Sequence, residues 1–320
     1  MTETIRTVAD ELFEPEAPHG VTLALVVMQS GEIVFERYGT QPDTMFGPGG
    51  PVDADSTLIS WSMAKSITHA LVGLLVDDGR VRLDAPAAVS GWQGTEKEAI
   101  TLLDLLEMRP GLEWVEDYVD ERVSHCIEML FGSGQDDMAA YAAALPVVAP
   151  AGTCWNYSSG TTNIVARIAG DAVGGGEPGM EAFLRERLFA PAGMHSASPK
   201  FDTAGTFVGS SYVYATARDF ANFGELYRND GVAGGRRLLP EGWSEQARTF
   251  VAHDEDGFDY GRHWWLWPDL PGSLACHGYE GQYCVVVPDR ELVLVHLGKS
   301  PIENRPELTD RLRRIISSMS

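Results

Sequence analysis

The chain has 320 residues, of which 44% are hydrophobic, so it is long enough to bury a large core. It carries 46 acidic residues against 24 basic ones, a formal net charge of −22. Such a charge repels phosphate backbones and anionic lipid surfaces, so we expect neither nucleic-acid nor membrane partners.

The N-terminal sequence and the cysteines indicate a reducing compartment. MTETIRTVADELFEP lacks a basic start followed by an apolar run, so it does not read as a secretory signal. No apolar stretch reaches the roughly 18 residues of a membrane span. We therefore expect a cytoplasmic protein whose thiols are reduced and either buried or inert, since their spacing fits no zinc motif. These thiols are Cys126, Cys154, Cys276 and Cys284.

The first eighty residues predict a β-hairpin followed by a long helix. Residues 21–28 form a β-branched apolar run, and residues 32–38 alternate apolar and polar positions, as two paired strands do. Apolar positions recur at helical spacing over residues 62–78, where Ser62 stands at the start and Gly79 just beyond the end.

Helical patterns dominate the middle of the chain, and short apolar strands return near its C-terminus. This order predicts an α/β (α+β) fold, in which an antiparallel sheet flanked by helices is built from both termini and a mostly helical domain is inserted between them. We expect residues 1–80 and 200–320 to form the sheet domain and residues 81–199 to form the helical one. Further helices are predicted over 4–14, 100–108, 136–145, 161–173, 180–189, 216–228 and 305–317, and further strands over 263–267, 282–287 and 291–297.

Ser62 and Lys65 are the first candidate catalytic pair. On a helix, residues three apart share a face, so both side chains can point into one cavity. Ser62 would lie in the first turn, where unpaired N–H groups and the helix dipole favour an oxyanion. A lysine inside an apolar helix can accept a proton or stabilise a neighbouring anion. The alternative is a helix N-cap with a lysine that extends to solvent.

Tyr157 is the second candidate. It lies in the segment GTCWNYSSG at 152–160, a turn that leads into a helix and could present the phenol to a cleft. A nearby Lys65 ammonium would lower the phenol pKa from its usual value near 10 and make phenolate a usable base. The alternative is a core aromatic with a hydrogen-bonded hydroxyl.

The segment ACHGYEGQY at 275–283 is the third candidate. Gly278 lies in a strand-like stretch, where glycine often marks close approach of the backbone to a ligand. We expect the Tyr279 N–H to be an oxyanion donor beside that of Ser62, and His277 to hydrogen-bond a substrate carbonyl or carboxylate. The alternative is a core or surface histidine whose hydrogen bonds are made without a substrate.

These three segments, in this order, resemble the serine β-lactamase and penicillin-binding superfamily with its S-x-x-K, Y-x-N and K-T-G signatures. The similarity points to the branch of class C β-lactamases and their esterase and amidase relatives, including 6-aminohexanoate-dimer hydrolases. It extends over about residues 20 to 300. Three further segments are also similar to ones typical of the family: LDAP at 83–86, RLFAPAGM at 187–194 and GYEGQ at 278–282.

The resemblance implies a β-lactamase/transpeptidase-like fold with Ser62 as nucleophile, Lys65 as its partner and Tyr157 as general base. Two departures argue against efficient β-lactam hydrolysis. Ser159 stands where many members have Asn, and Cys276 stands where they have the K-T-G lysine. His277 is the nearby candidate for that polar role. The S-D-N triplet and the deacylating glutamate of class A enzymes have no counterpart, which favours the tyrosine-type mechanism.

We therefore expect a serine hydrolase that cleaves a small ester or amide through an acyl-enzyme, without metal or organic cofactor. One alternative is a binding protein that keeps the fold without turnover, although all three catalytic residues survive. Another is a penicillin-binding peptidase, which would need an extracytoplasmic location. The sequence leaves the oligomeric state and the natural substrate open.

Two features bear on the substrate. Tryptophans are expected to line an apolar acyl pocket, with core packing as the alternative. The acidic segment 113–121 could attract a cationic substrate end, and a solvated acidic face is the alternative. The tryptophans are Trp114, Trp155, Trp264 and Trp265, and Ser159 and Gly278 complete the predicted substrate-binding residues.

Overall fold

An antiparallel sheet that joins the two ends of the chain forms the centre of the fold. The computed structural model describes residues 3–43, 47–118 and 124–319. The helices of these residues are α1 Glu3–Leu12, α2 Ala64–Asp77, α3 Leu102–Leu106, α4 His125–Phe131, α5 Met138–Ala144, α6 Ser159–Val173, α7 Gly176–Leu184, α8 Ala217–Arg228, α9 Trp243–Ala247 and α10 Arg305–Ser318. The strands are β1 Val21–Gln29, β2 Glu32–Tyr38, β3 Thr40–Gln41, β4 Gly50–Pro51, β5 Leu58–Ile59, β6 Ser198–Pro199, β7 Val213–Ala215, β8 Val232–Ala233, β9 Arg236–Arg237, β10 Ala252–His253, β11 Asp259–Tyr260, β12 Trp265–Leu266, β13 Leu274–Gly278, β14 Gln282–Val287 and β15 Leu292–Lys299.

The main sheet has the order β10-β11-β12-β13-β14-β15-β1-β2 within the described ranges. The N-terminal strand β1 pairs with the C-terminal strand β15, for example at Val26 and Val295. It pairs on its other side with β2, for example at Val27 and Phe35. The prediction of an antiparallel sheet built from both termini is confirmed.

Both faces of the sheet are covered by helices. Successive side chains of a strand point to opposite faces. Along β1, Val26 belongs to the core that includes α2 and α8, whereas Leu25 and Val27 pack in the core formed with α1 and α10. Two-sided burial explains why residues 23–28 are continuously apolar instead of alternating.

Helix α2 runs through the larger core and ends as the sequence predicts. Gly79 adopts φ +67° just after it, a conformation that glycine reaches at little steric cost. Within the helix, a Cβ on Gly73 would lie 2.7 Å from the Trp243 indole nitrogen, so a glycine is needed for this close packing. The predicted helix over 62–78 begins as a 3-10 turn and becomes α-helical at Ala64.

Two local predictions were incomplete. Helix α4 was not predicted, although its buried residues Cys126, Met129 and Leu130 have helical spacing. The strand over 263–267 is limited to the two residues of β12. Cys154 is exposed, whereas the other three thiols are buried. The division into domains at residues 80/81 and 199/200 stays a prediction.

No helix in the three described ranges combines the length and the apolar character needed to cross a bilayer.

Candidate active site

Ser62 lies in a strained turn that the two residues before it anchor. Trp61, just before it, adopts φ +44°, a region that bulky residues rarely occupy. The Trp61 indole N–H donates to Glu280 Oε2 at 3.2 Å. The Ser60 N–H donates to the Val213 carbonyl at 2.8 Å. The turn therefore holds Ser62 in the wall of a cavity.

Lys65 is buried beside Ser62, as the S-x-x-K spacing predicts. Its side chain is 2% exposed. Nζ lies 2.8 Å from Ser62 Oγ, 2.9 Å from Ser159 Oγ and 3.1 Å from the Ser210 carbonyl oxygen. An ammonium has three donors, and each of them has an acceptor here. Lys65 thus points its charge directly at the nucleophile.

The Glu116 carboxylate explains how this ammonium is tolerated in the interior. It accepts hydrogen bonds from Ser159 N (2.8 Å), Ser159 Oγ (2.5 Å), Trp114 Nε1 (2.6 Å) and the Tyr118 hydroxyl (2.9 Å). Because the Ser159 hydroxyl gives its hydrogen to Glu116, it must accept from Lys65. A negative charge therefore lies two hydrogen bonds from the buried positive one, which offsets part of the cost of desolvation.

Tyr157 lies over the Lys65 ammonium. Nζ is 4.8 Å from the centre of the phenol ring. The ring is held between Trp265, at 5.3 Å between centroids, and Tyr260, at 5.8 Å. The predicted hydroxyl, amine and phenol are thus brought together from segments nearly 100 residues apart.

The net shift of the Tyr157 pKa is opposite to the one predicted. Burial raises the pKa of the phenol, the Lys65 ammonium lowers it, and the Glu116 carboxylate raises it again. Interactions with the Ser62 hydroxyl and Lys65 lower it further, yet the pKa stays above its ordinary value. Lys65 acts in the expected direction, but burial outweighs it. The resting site therefore holds a neutral phenol at pH 7.

The third segment lies beside the nucleophile turn. A Cβ on Gly278 would lie 2.4 Å from the Ser60 carbonyl oxygen, so only glycine lets the end of β13 approach this closely. The Tyr279 ring packs 5.8 Å from that of Trp61, and the Gln282 side chain donates to the Tyr279 carbonyl at 2.9 Å. The Tyr279 N–H as oxyanion donor stays a prediction.

His277 is held in an aromatic cluster at the wall of the cavity. The Trp267 indole N–H donates to its Nε2 at 2.9 Å, so the proton of the neutral ring lies on Nδ1. Its ring stacks on Trp265 at 5.1 Å. Burial lowers the His277 pKa well below its ordinary value, and Arg305 and Arg313 add to this effect. His277 is therefore neutral and does not replace the charge of the K-T-G lysine.

The three segments open onto a cavity of about 480 Å³. Ser62 and Tyr157 line it, and so do the predicted residues Trp155, His277 and Gly278. Among the described lining residues, Arg305 is the only arginine or lysine, and it pairs with Asp256. The lining carboxylates are Glu116, Asp254, Glu255, Asp256 and Glu280.

Other predicted substrate residues lie elsewhere. Ser159 is 1% exposed and its hydroxyl bridges Lys65 and Glu116, so its role in binding substrate stays a prediction. Trp264 is fully buried in the core, which corrects its proposed pocket role. Trp114 is 7% exposed and donates to Glu116.

Sequence reasoning missed the inward orientation of Glu116. It treated residues 113–121 as one acidic surface, of which residues 119–121 lie outside the described residues. The spacing W-x-E-x-Y over 114–118 was the available signal, because alternate residues of an extended segment share a face. It would have placed Glu116 on one face with buried Trp114 and half-buried Tyr118.

We expect Glu116→Gln to lower kcat with little change in KM. The amide keeps one acceptor oxygen, and its NH2 group faces donors from which it cannot accept hydrogen bonds. The Ser159 hydroxyl and the Lys65 ammonium therefore lose the negative charge that positions them. Hydrogen bonds to charged groups contribute about 1.5–3 kcal/mol, which corresponds to about a 10- to 100-fold lower kcat. Because Glu116 raises the Tyr157 pKa, the pH dependence of kcat should also move to lower pH.

Steady-state kinetics across pH on an ester test this expectation. Glu113→Gln is the matched control, since Glu113 lies in the same segment but is exposed. A Glu116→Gln protein with unchanged kcat and an unshifted pH dependence would show that the carboxylate has no part in positioning Lys65.

The geometry agrees with the comparisons. The profile of the family described as Beta-lactamase matches residues 10–316, so the chain belongs to the β-lactamase family. Acyl-enzyme hydrolysis on a serine is typical of this superfamily.

Individual relatives include hydrolases. The 6-aminohexanoate-dimer hydrolase of Paenarthrobacter ureafaciens is 26% identical over 299 residues, covering 88% of this chain and 73% of the relative. Penicillin-binding protein 4 of Amycolatopsis lactamdurans is 26% identical over 323 residues, covering 86% and 80%. The structure of a family VIII carboxylesterase aligns with a TM-score of 0.73 at 16% identity, covering 98% of each chain. The fold prediction and the family resemblance are confirmed.

Proposed function

We propose that this protein cleaves esters or amides of small carboxylic acids through an acyl-enzyme on Ser62. The observation that carries the proposal is that Ser62 and Tyr157 line one cavity and that the buried Lys65 ammonium lies directly behind both of them. The family membership and the hydrolases among the relatives support it.

The reaction proceeds in two halves that balance in protons. In the minor fraction of molecules in which Tyr157 is a phenolate beside the Lys65 ammonium, it takes the Ser62 proton while Oγ bonds to the substrate carbonyl carbon. The N–H groups of Ser62 and Tyr279 stabilise the oxyanion. The bond from this carbon to the leaving atom then breaks, and Tyr157 returns the proton to that atom. In the second half, water gives a proton to Tyr157 and its hydroxide to the acyl carbon. The bond from this carbon to Ser62 Oγ then breaks, and Tyr157 returns the proton to Oγ, which releases the acid and restores the Ser62 hydroxyl.

The charges of the cavity favour ester and amide substrates over β-lactams. Penicillins and cephalosporins carry a carboxylate, which the K-T-G lysine would balance. Cys276 occupies that position, its side chain is 1% exposed, and neighbouring His277 is neutral. Because carboxylates outnumber the one arginine among the described lining residues, an anionic substrate meets repulsion.

Side-by-side measurements on a p-nitrophenyl ester, a chromogenic cephalosporin and a linear aminohexanoyl amide test this proposal. A fluorophosphonate probe is expected to label Ser62, and the ester should turn over at least about 100-fold faster in kcat/KM than the cephalosporin. This ratio corresponds to about 2.7 kcal/mol. Burying the cephalosporin carboxylate without a positively charged partner is expected to cost at least this much binding free energy. An intact protein that is neither labelled nor active on any of the three would favour a binding protein without turnover. A preference for the cephalosporin would favour the penicillin-binding alternative.

Two further assignments remain part of this proposal. The location is proposed to be the cytoplasm, a reducing compartment in which the four thiols stay reduced. The partner is a small-molecule substrate, not a nucleic acid, and the chemistry uses the side chains above without metal or organic cofactor.

A further inference from the structure

A second cavity meets the first one at the nucleophile. It has a volume of about 290 Å³ and lies against helix α4. Ser62, Tyr118 and Tyr279 line both cavities, and the two tyrosine rings are 5.0 Å apart. A substrate whose carbonyl carbon sits at Ser62 can therefore extend in two directions.

The second cavity differs from the first in its chemistry. Ile127, Leu130 and Phe131 of α4 form its apolar side, and no Asp, Glu, Lys or Arg lines it within the described ranges. Burial raises the pKa of the Cys126 thiol, which also lines it, so this cysteine stays neutral and acts as a small apolar group. Phe131 is 58% exposed, so its ring stays accessible at the side of this cavity.

The position of Tyr157 decides which part of the substrate lies where. In acyl transfer, the group that takes the nucleophile proton returns it to the leaving atom. Tyr157 lines the larger, carboxylate-rich cavity and is not among the residues that line the smaller one. The leaving group must therefore lie in the larger cavity, so that the acyl chain extends into the smaller one.

We infer that the protein selects substrates with an uncharged, apolar acyl chain of medium length in the cavity against α4 and a polar leaving group without carboxylate in the larger cavity. This inference rests on the proposed function and defines its substrate class. It places Trp155 beside the leaving group, not in an acyl pocket as the sequence suggested. A charged acyl end, such as that of a 6-aminohexanoyl group, would be desolvated without a partner.

Esters with one leaving group and different acyl chains test the inference. p-Nitrophenyl hexanoate is expected to exceed the acetate in kcat/KM by at least about tenfold, since each buried methylene adds to binding. It should exceed the 6-aminohexanoate by a similar factor, because the terminal ammonium is costly to bury. A preference for the charged acyl chain, or no dependence on chain length, would overturn the inference.

Substitutions of two isoleucines, one at each cavity, test the two cavities separately. Ile127 is partly exposed on α4 at the smaller cavity, and Ile302 is 49% exposed at the larger one. Ile127→Trp should lower the hexanoate-to-acetate ratio at least about tenfold, and Ile127→Ala should shift the preference to longer chains. Ile302→Trp should leave this ratio unchanged and instead alter the preference between small and bulky leaving groups. The reverse pattern would mean that the acyl chain occupies the larger cavity.

Labelling by a fluorophosphonate and turnover of p-nitrophenyl acetate distinguish a failure of the substrate inference from a failure of the proposed function. If both occur without selectivity for acyl chains, only the inference fails. If Ser62 is not labelled and no ester turns over, the proposed function fails and the inference with it.

Discussion

Ser62→Ala is expected to lose ester hydrolysis by at least about 10⁴-fold in kcat/KM and to lose labelling by a fluorophosphonate probe. The reason is that the Ser62 hydroxyl oxygen is the atom that bonds to the acyl carbon. The neighbouring Ser60 hydroxyl cannot replace it, because it is fully buried and donates to backbone carbonyls. The fold should persist, because Lys65 keeps Ser159 and Ser210 as acceptors. Intact-protein mass after brief incubation with an ester measures the acyl-enzyme directly.

The matched control for this result is Ser133→Ala. Ser133 is exposed, and its hydroxyl bonds to the Glu128 carboxylate at 3.1 Å. This variant should label and turn over like the wild-type protein. Retained labelling and turnover in Ser62→Ala would show that another residue is the nucleophile, and the proposed mechanism would be abandoned.

Tyr157→Phe is expected to lower kcat/KM by about 10²- to 10⁴-fold, the range in which general bases contribute. In the wild-type protein, the pH dependence of kcat/KM should follow the ionisation of Tyr157. Phenolate is the active form, and the Tyr157 pKa lies above its ordinary value of 10.0. Between pH 7 and 9 the phenolate fraction, and with it kcat/KM, should therefore rise about tenfold per pH unit. The substitution should remove this rise.

Tyr260→Phe is the matched control for Tyr157→Phe. The two rings are neighbours, but the buried Tyr260 hydroxyl has no hydrogen-bond partner in the described part of the chain and does not line the cavity. Its removal should change the rate by no more than a few-fold. A wild-type plateau in kcat/KM already at pH 7 would show that the Lys65 ammonium outweighs burial in the active enzyme.

Taken together, these side chains form a line of alternating charge. Glu116 is negative, Ser159 bridges it to Lys65 by hydrogen bonds, Lys65 is positive, and the negative charge of the Tyr157 phenolate passes to the Ser62 oxygen as that oxygen loses its proton. Because these charges are held in place before the substrate arrives, little reorganisation is needed during proton transfer. The same burial that strengthens the interaction also keeps the phenol protonated at rest.

Much of the fold could be predicted because its signals are local. The hairpin over 21–38, the helix over 62–78 and the strand over 282–287 each show the periodicity of their structure. Helix α4 has only seven residues, and the two-residue strands carry too little periodicity to be recognised. Such short elements form because the surrounding structure supplies their partners.

The sequence by itself determined the antiparallel sheet built from both termini and the three motifs around Ser62, Tyr157 and Gly278, because periodicity and motif spacing are properties of adjacent residues. Only the tertiary structure decided that Glu116 faces inward to Lys65, that the Tyr157 pKa rises, and that two cavities of different polarity meet at Ser62. These properties depend on burial and on distances between segments far apart in the chain. No local pattern encodes those quantities.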